Sequence, residues 1–210
     1  MGPAVTALAL VALLAASNAE AVLQALEKAG QALKTMKAEF AQTRVLVLLN
    51  DKEETRGDVL LHVPGRLRWN YTAPAPSVMV IKDGAFARYI PKSRQVFRGA
   101  ARGEADLLVG FGPGAAGLGR KYEVSLVGEE TVAGGPAWVL DLKPRTGATS
   151  GLFSAIRLWV DEVRSIPVQT RLTEPTGDHT TIRFEKVVIN GGLPSGAFDL
   201  KLPADVVEVK

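Results

Sequence analysis

The stretch from Gly57 to Gly84 reads G-D-V-L-L-H-V-P-G-R-L-R-W-N-Y-T-A-P-A-P-S-V-M-V-I-K-D-G, and its alternation decides the fold class. Leu67, Trp69 and Tyr71 fall on one side, and Arg66, Arg68 and Asn70 on the other. A period of two is that of a strand with one wet and one apolar face. Asp83-Gly84 between two apolar runs signals a hairpin, and Asn50-Asp51 and Pro64-Gly65 mark further turns. Similar strand patterns recur at about 42–49, 55–63, 67–71, 78–82, 86–90 and 95–98, then at 122–127, 137–142, 156–160, 168–173, 180–188 and 198–201. Ahead of them, Val22, Leu26, Ala29, Leu33, Met36 and Phe40 recur at helical spacing, with Lys28, Lys34 and Lys37 off the stripe. That pattern predicts a helix over 21–40. Short strands with turn signals and no βαβ alternation predict one curved, mainly antiparallel α+β domain.

The 210 residues suffice for one β-rich domain with a sizeable core. The charge is mixed, 25 basic against 22 acidic residues, and no basic run carries the interleaved aromatics of a nucleic-acid surface. The absence of cysteine excludes disulfides, thiolate metal sites, thiol nucleophiles and a lipid anchor on a mature N-terminal cysteine. Residues 4–16 form an apolar run of export-signal length, too short for a membrane span. Ser17-Asn18-Ala19 places small residues for cleavage after Ala19, so residues 1–19 are predicted to be a signal peptide and 20–210 one exported domain. No Lys or Arg precedes that run. The formal myristoylation pattern at Gly2 is discounted, because Pro3 and the apolar run suit export better.

No catalytic or cofactor motif survives its own context. Gly112-Pro113-Gly114-Ala115-Ala116-Gly117 spells GxGxxG, but it lacks the strand before and the helix after that a dinucleotide needs. Gly114 to Lys121 misses a phosphate loop, with Arg120 at the lysine position and Lys121 at the Ser/Thr position. His62 and His179 stand far apart in sequence, with no GxSxG pattern between them. The acidic pairs Glu53-Glu54, Glu129-Glu130 and Asp161-Glu162 sit beside predicted turns, where neighbours on a strand face opposite ways. The sequence therefore predicts no enzyme, no metal and no cofactor.

What remains is an apolar face: Leu67, Trp69 and Tyr71; Ile81; Trp138 and Leu140; Leu158; Phe184. Two stretches add bulky apolar groups beside glycines or polar residues. One is Glu104 to Phe111, read as a short helix exposing Leu107, Leu108 and Phe111, where Gly110, Gly112, Gly114, Gly117 and Gly119 loosen the backbone. The other is Leu152-Phe153. Two readings stay open: a helix packed on a filled sheet, or a hollow behind a movable cover.

The chain resembles the bacterial outer-membrane lipoprotein carrier (LolA-like) family. The likeness runs through Phe40-Ala41-Gln42, Gly57-Asp58-Val59-Leu60, Pro64-x-x-Leu67-x-Trp69, Val80-Ile81-x-Asp83-Gly84, Tyr89-x-Pro91 and Gln95-Val96. It continues in Leu158-x-Val160-Asp161, Pro167, Gly177, Phe184, Asn190-x-x-Leu193, Phe198 and Leu202-Pro203. The resemblance implies a half-open β-barrel of about eleven strands covered by helices, and a monomeric periplasmic carrier. It implies acyl chains of outer-membrane lipoproteins as cargo, an ATP-driven inner-membrane complex as donor and an outer-membrane receptor as acceptor. Leu67 and Trp69 match the family's cavity-side apolar-x-Trp. The other lining residues, Tyr71, Ile81, Leu107, Leu108, Phe111, Trp138, Leu140, Phe153, Leu158 and Phe184, extrapolate from alternation. One departure stands out: Val63-Pro64 occupies positions where carriers of this kind have Arg-Pro, with the arginine serving lid closure. Arg66 and Arg68 are the nearest cations, and alternation turns both outward. The departure keeps two alternatives in play, a carrier of another amphiphile (a glycolipid or hopanoid-like molecule) and a lipid-sensing regulatory module on the same fold.

Overall fold

The computed structural model describes residues 3–101, 108–146 and 152–209, with side chains described from Asn18 onward. A helix, α1 (Pro3–Ala32), leads into β1 (Thr35–Leu46), β2 (Asp51–His62), β3 (Arg66–Ala73), β4 (Ser77–Lys82), β5 (Ala85–Ile90) and β6 (Gln95–Ala100). A connection carrying a 3₁₀ turn (Gly112–Ala115) and a one-turn helix, α2 (Leu118–Lys121), reaches β7 (Tyr122–Val132). Then come β8 (Gly135–Pro144), β9 (Ala155–Asp161), β10 (Pro167–Thr173), β11 (His179–Ile189) and β12 (Val207–Val209).

Among the described residues the twelve strands form one open sheet, ordered β12-β6-β5-β4-β3-β2-β1-β11-β10-β9-β8-β7. Neighbours are antiparallel except β12, which runs parallel to β6. β12 and β7 are left as edges, so the sheet is a half-barrel. The Asp83-Gly84 hairpin forms as expected, with both residues at positive φ (52° and 79°), as a tight right-twisting turn requires.

The helix stops earlier than its apolar stripe suggests. Met36 and Phe40 belong to β1, where Met36, Ala38 and Phe40 alternate into the core. A spacing of four is both one helical turn and an even number of strand residues, so those two positions fit either period. What ends α1 is a distant side chain. Asn190, just past β11, donates from Nδ2 to the Ala32 carbonyl (3.1 Å) and accepts the Lys34 amide at Oδ1 (2.7 Å).

A second expectation fails at 198–201, which pair with no strand. That segment crosses the outer face instead. Arg68 donates to the carbonyls of Ala197 and Asp199, and Lys82 pairs with Asp199 at 2.8 Å. Arg68 therefore faces outward, as alternation requires, and is committed to holding the C-terminal segment.

Two apolar clusters fill the concave face. One joins β1–β4 and β11 around Trp69, Phe40 and Phe184; the other joins α1 to β8–β10 around Leu26, Leu140 and Leu158. A small third cluster, Ala137, Val139, Trp159 and Val168, sits on the opposite face, with the Trp159 indole donating to Glu130. Gly57 lets β2 and β3 approach where their register slips. A Cβ there would meet the Asn70 carbonyl oxygen at 1.7 Å and Phe40 Cε1 at 2.9 Å. Gly57→Ala should lower the unfolding free energy by about 3 kcal/mol, the upper end of overpacking penalties, read as a shifted urea midpoint at constant slope.

A roofed cavity on the concave face

The connection from β6 to β7 roofs the concave face. Leu108 and Phe111 join the first cluster, and Val109, Ala115 and Leu118 join the second. From the sequence, the glycines here are expected to loosen a lid. In the structure glycine also lets the segment sit close to α1 and the sheet. A Cβ on Gly30 of α1 would meet Ala115 Cβ and the Gly112 carbonyl oxygen, each at 2.7 Å. Gly112 takes φ +51°, and a Cβ there would lie 3.0 Å from Val63 Cγ2. Glu27 of α1 accepts the Gly117 amide at 2.9 Å. The expected helix over 104–111 lies partly outside the described residues; its described part, Leu108 to Phe111, is a turn closed by Phe111 N–H to the Leu108 carbonyl.

A cavity of about 250 Å³ remains between roof and wall. Its wall is Leu61, Val63, Leu67 and Ile81; its roof is Leu108, Val109, Phe111 and Leu118. Arg66, Lys121 and Tyr122 stand at its border. It is smaller than the ~300–1,000 Å³ usual for ligand sites. Arg66 pairs loosely with Asp83 (3.8 Å) while bordering the cavity, so it is less strictly outward than alternation implied.

Of the twelve residues singled out from sequence, Leu67, Ile81, Leu108 and Phe111 border the cavity. Trp69 and Phe184 lie beneath it at 0% exposure, with Tyr71 packed against them. Trp69 meets Phe40 at 4.8 Å between centroids and Phe184 at 6.2 Å, and its indole N–H has no acceptor among the described atoms. It is core, so a charge placed there would be buried and unpaired. Burial pushes the Tyr71 phenol above its ordinary value, against the pull of Arg88 over its ring, so the hydroxyl stays neutral. Leu140 and Leu158 are buried in the second cluster, with Trp138 and Phe153 against it, away from the cavity. Leu107 lies outside the described residues.

Sequence reading missed Leu61, Val63, Val109, Leu118 and Tyr122. Val59, Leu61 and Val63 carry the same period-two signal as β3, so the wall was readable. The roof residues have no periodicity that marks them. Among the described residues no helix is long and apolar enough to cross a membrane.

The model of the family described as outer membrane lipoprotein carrier protein LolA matches residues 31–201. The outer-membrane lipoprotein carrier protein of Chromobacterium violaceum is 30% identical over 209 residues, covering 97% of this chain and 95% of its own. Among solved structures, an uncharacterized conserved protein from Thermus thermophilus superposes with a TM-score of 0.59 at 16% identity, over 91% of this chain and 98% of that one. A chain of the Pseudomonas aeruginosa MucA/MucB complex gives 0.55 at 20% identity, over 88% of this chain and 61% of its own. The two structures speak to the fold alone.

Proposed function

This chain belongs to the outer membrane lipoprotein carrier protein LolA family, and from that premise we propose that it is a periplasmic carrier, not an enzyme, which shields lipoprotein acyl chains between the inner and outer membranes. The observation that carries the reading is the apolar cavity under a roof that is not part of the sheet. In this reading the first nineteen residues are removed on export and residues 20–210 act as one unit. An ATP-driven inner-membrane complex loads the carrier, and an outer-membrane receptor unloads it.

Burying acyl chain is favourable by about 0.8 kcal/mol per methylene, so one sixteen-carbon tail represents on the order of 12 kcal/mol. A site that enclosed two or three tails fully would release them too slowly to serve as a carrier. A cavity of about 250 Å³ cannot hold them while the roof is down. Loading lifts residues 108–121 and exposes the apolar floor: Leu67, Ile81, then Trp69, Tyr71 and Phe184. Leu108 and Phe111 then face cargo from above, and Leu140, Leu158, Trp138 and Phe153 extend the trough toward α1.

Native mass spectrometry of the protein from membrane-containing extracts tests this. A triacylated protein bound one-to-one is the expected species; protein emerging repeatedly without any bound acyl chain would defeat the reading. A second reading, transport of another amphiphile, is favoured by Val63, whose apolar contact with the roof stands where such carriers are expected to have an arginine. A bound glycolipid or polycyclic lipid in the same spectrum would select it. A stable complex with a partner protein and no lipid would instead select a sensor role.

A further inference from the structure

We propose that the β1–β2 hairpin tip is a bilayer-contacting wedge, and that it inserts into zwitterionic phospholipid surfaces in preference to anionic ones. Val47, Leu48 and Leu49 are consecutive at the turn and are 51%, 83% and 72% exposed, whereas most large apolar side chains among the described residues are packed. The outer half of the hairpin leaves the core, so the tip projects. It is held rather than loose: Asp178 accepts the Val47 amide at 2.8 Å, and the turn closes by Asn50 N–H to the Val47 carbonyl. Leu152, 49% exposed, lies at the same end of the sheet, because Ser154 bonds to the carbonyls of Thr173 and Glu174.

Area argues for a membrane over a protein partner. Three side chains on a convex tip bury far less than the roughly 1,200 Å² of a stable protein interface. A bilayer needs no complementary shape, only apolar groups that reach its acyl boundary. Charge then selects the kind of bilayer. Asp51, Glu53, Glu54, Glu174 and Asp178 surround the tip. Two of these are offset by cations, Glu174 by Arg44 (3.8 Å) and Glu54 by Lys52 (2.6 Å), which leaves Asp51, Glu53 and Asp178 as the net negative charge of the tip. An anionic surface would repel this ring. The argument uses no residue of the cavity and stands independently of what the cavity holds.

The absence of cysteine allows a single label. Leu49→Cys on the full chain, carrying a polarity-sensitive fluorophore, should shift to the blue with phosphatidylcholine vesicles and be quenched by spin-labelled acyl chains. Val163→Cys, 87% exposed at the opposite end of the sheet, should do neither. Replacing a third of the lipid by phosphatidylglycerol should weaken the Leu49→Cys signal. Adding Leu48→Glu should raise the lipid concentration for half-maximal signal about tenfold or more. Because the label reports only its own surroundings, contact by the apolar N-terminal run cannot imitate the result. A water-like label at 49, a shift indifferent to Leu48→Glu, or a signal that requires anionic lipid would overturn the proposal. So would a concentration-dependent dimer lost in Leu48→Glu, which would give the tip to a second copy.

Discussion

Oxidation of a Val63→Cys/Gly112→Cys variant will abolish acyl-chain uptake, and reduction of the same sample will restore it. Val63 sits on the cavity wall just past β2, its amide bonded to the Lys34 carbonyl at 2.8 Å, while Gly112 belongs to the roof. Val63 Cγ2 lies 3.0 Å from the point a Cβ on residue 112 would occupy. A Cβ and the far sulfur of an ordinary disulfide are also about 3 Å apart, so this separation matches that of a disulfide. No other cysteine competes for it. A cysteine at φ +51° adds about 1–2 kcal/mol of strain, which leaves the reduced protein folded. Uptake of a fluorescent diacylated peptide is the readout. The oxidised form should take up less than a tenth of what the reduced form does. If oxidised and reduced protein load equally, residues 108–121 are a fixed part of the barrel and cargo enters elsewhere.

The strands of that barrel were largely legible in the sequence, and the cavity was not. Alternation in Leu67-Arg68-Trp69-Asn70-Tyr71 gave the face of β3, and Asp83-Gly84 gave the turn after β4, because both signals are local. The end of α1 was illegible, because Asn190 caps it from the far end of the chain. The strand expected at 198–201 has the right alternation, but its position is decided by Arg68 and Lys82 beneath it. Alternation also tells which side of a strand a residue occupies without telling what covers that side. Leu140 and Leu67 therefore look alike in sequence, though α1 with residues 109–118 covers one and a cavity meets the other. The glycine at 112 was ambiguous for the same reason: close approach and looseness use the same residue.

Phe111 and Phe184 touch edge to face at 5.1 Å, and truncating each will separate roof from wall. Phe184 is 0% exposed on β11, paired across the sheet with Phe40 and close to Trp69. Phe184→Ala should cost about 3–5 kcal/mol of global stability, a large part of what a domain of this size holds. Trp69→Glu in the same wall should not fold at all, because it replaces packed indole by a buried, unpaired carboxylate. Phe111→Ala removes the same ring contact from the other side, with a different consequence. If the roof can lift while the barrel stays folded, weakening the closed form lowers global stability by no more than the free energy of lifting, because the open form then becomes the native state. Its urea midpoint should therefore move less than half as far as that of Phe184→Ala, while amide exchange at 108–118 accelerates and bound acyl peptide exchanges at least tenfold faster. Equal midpoint shifts, with exchange at 108–118 still tied to global unfolding, would show that roof and wall melt as one unit. A carrier built that way would have to unfold to load, and the transport reading would fall with it.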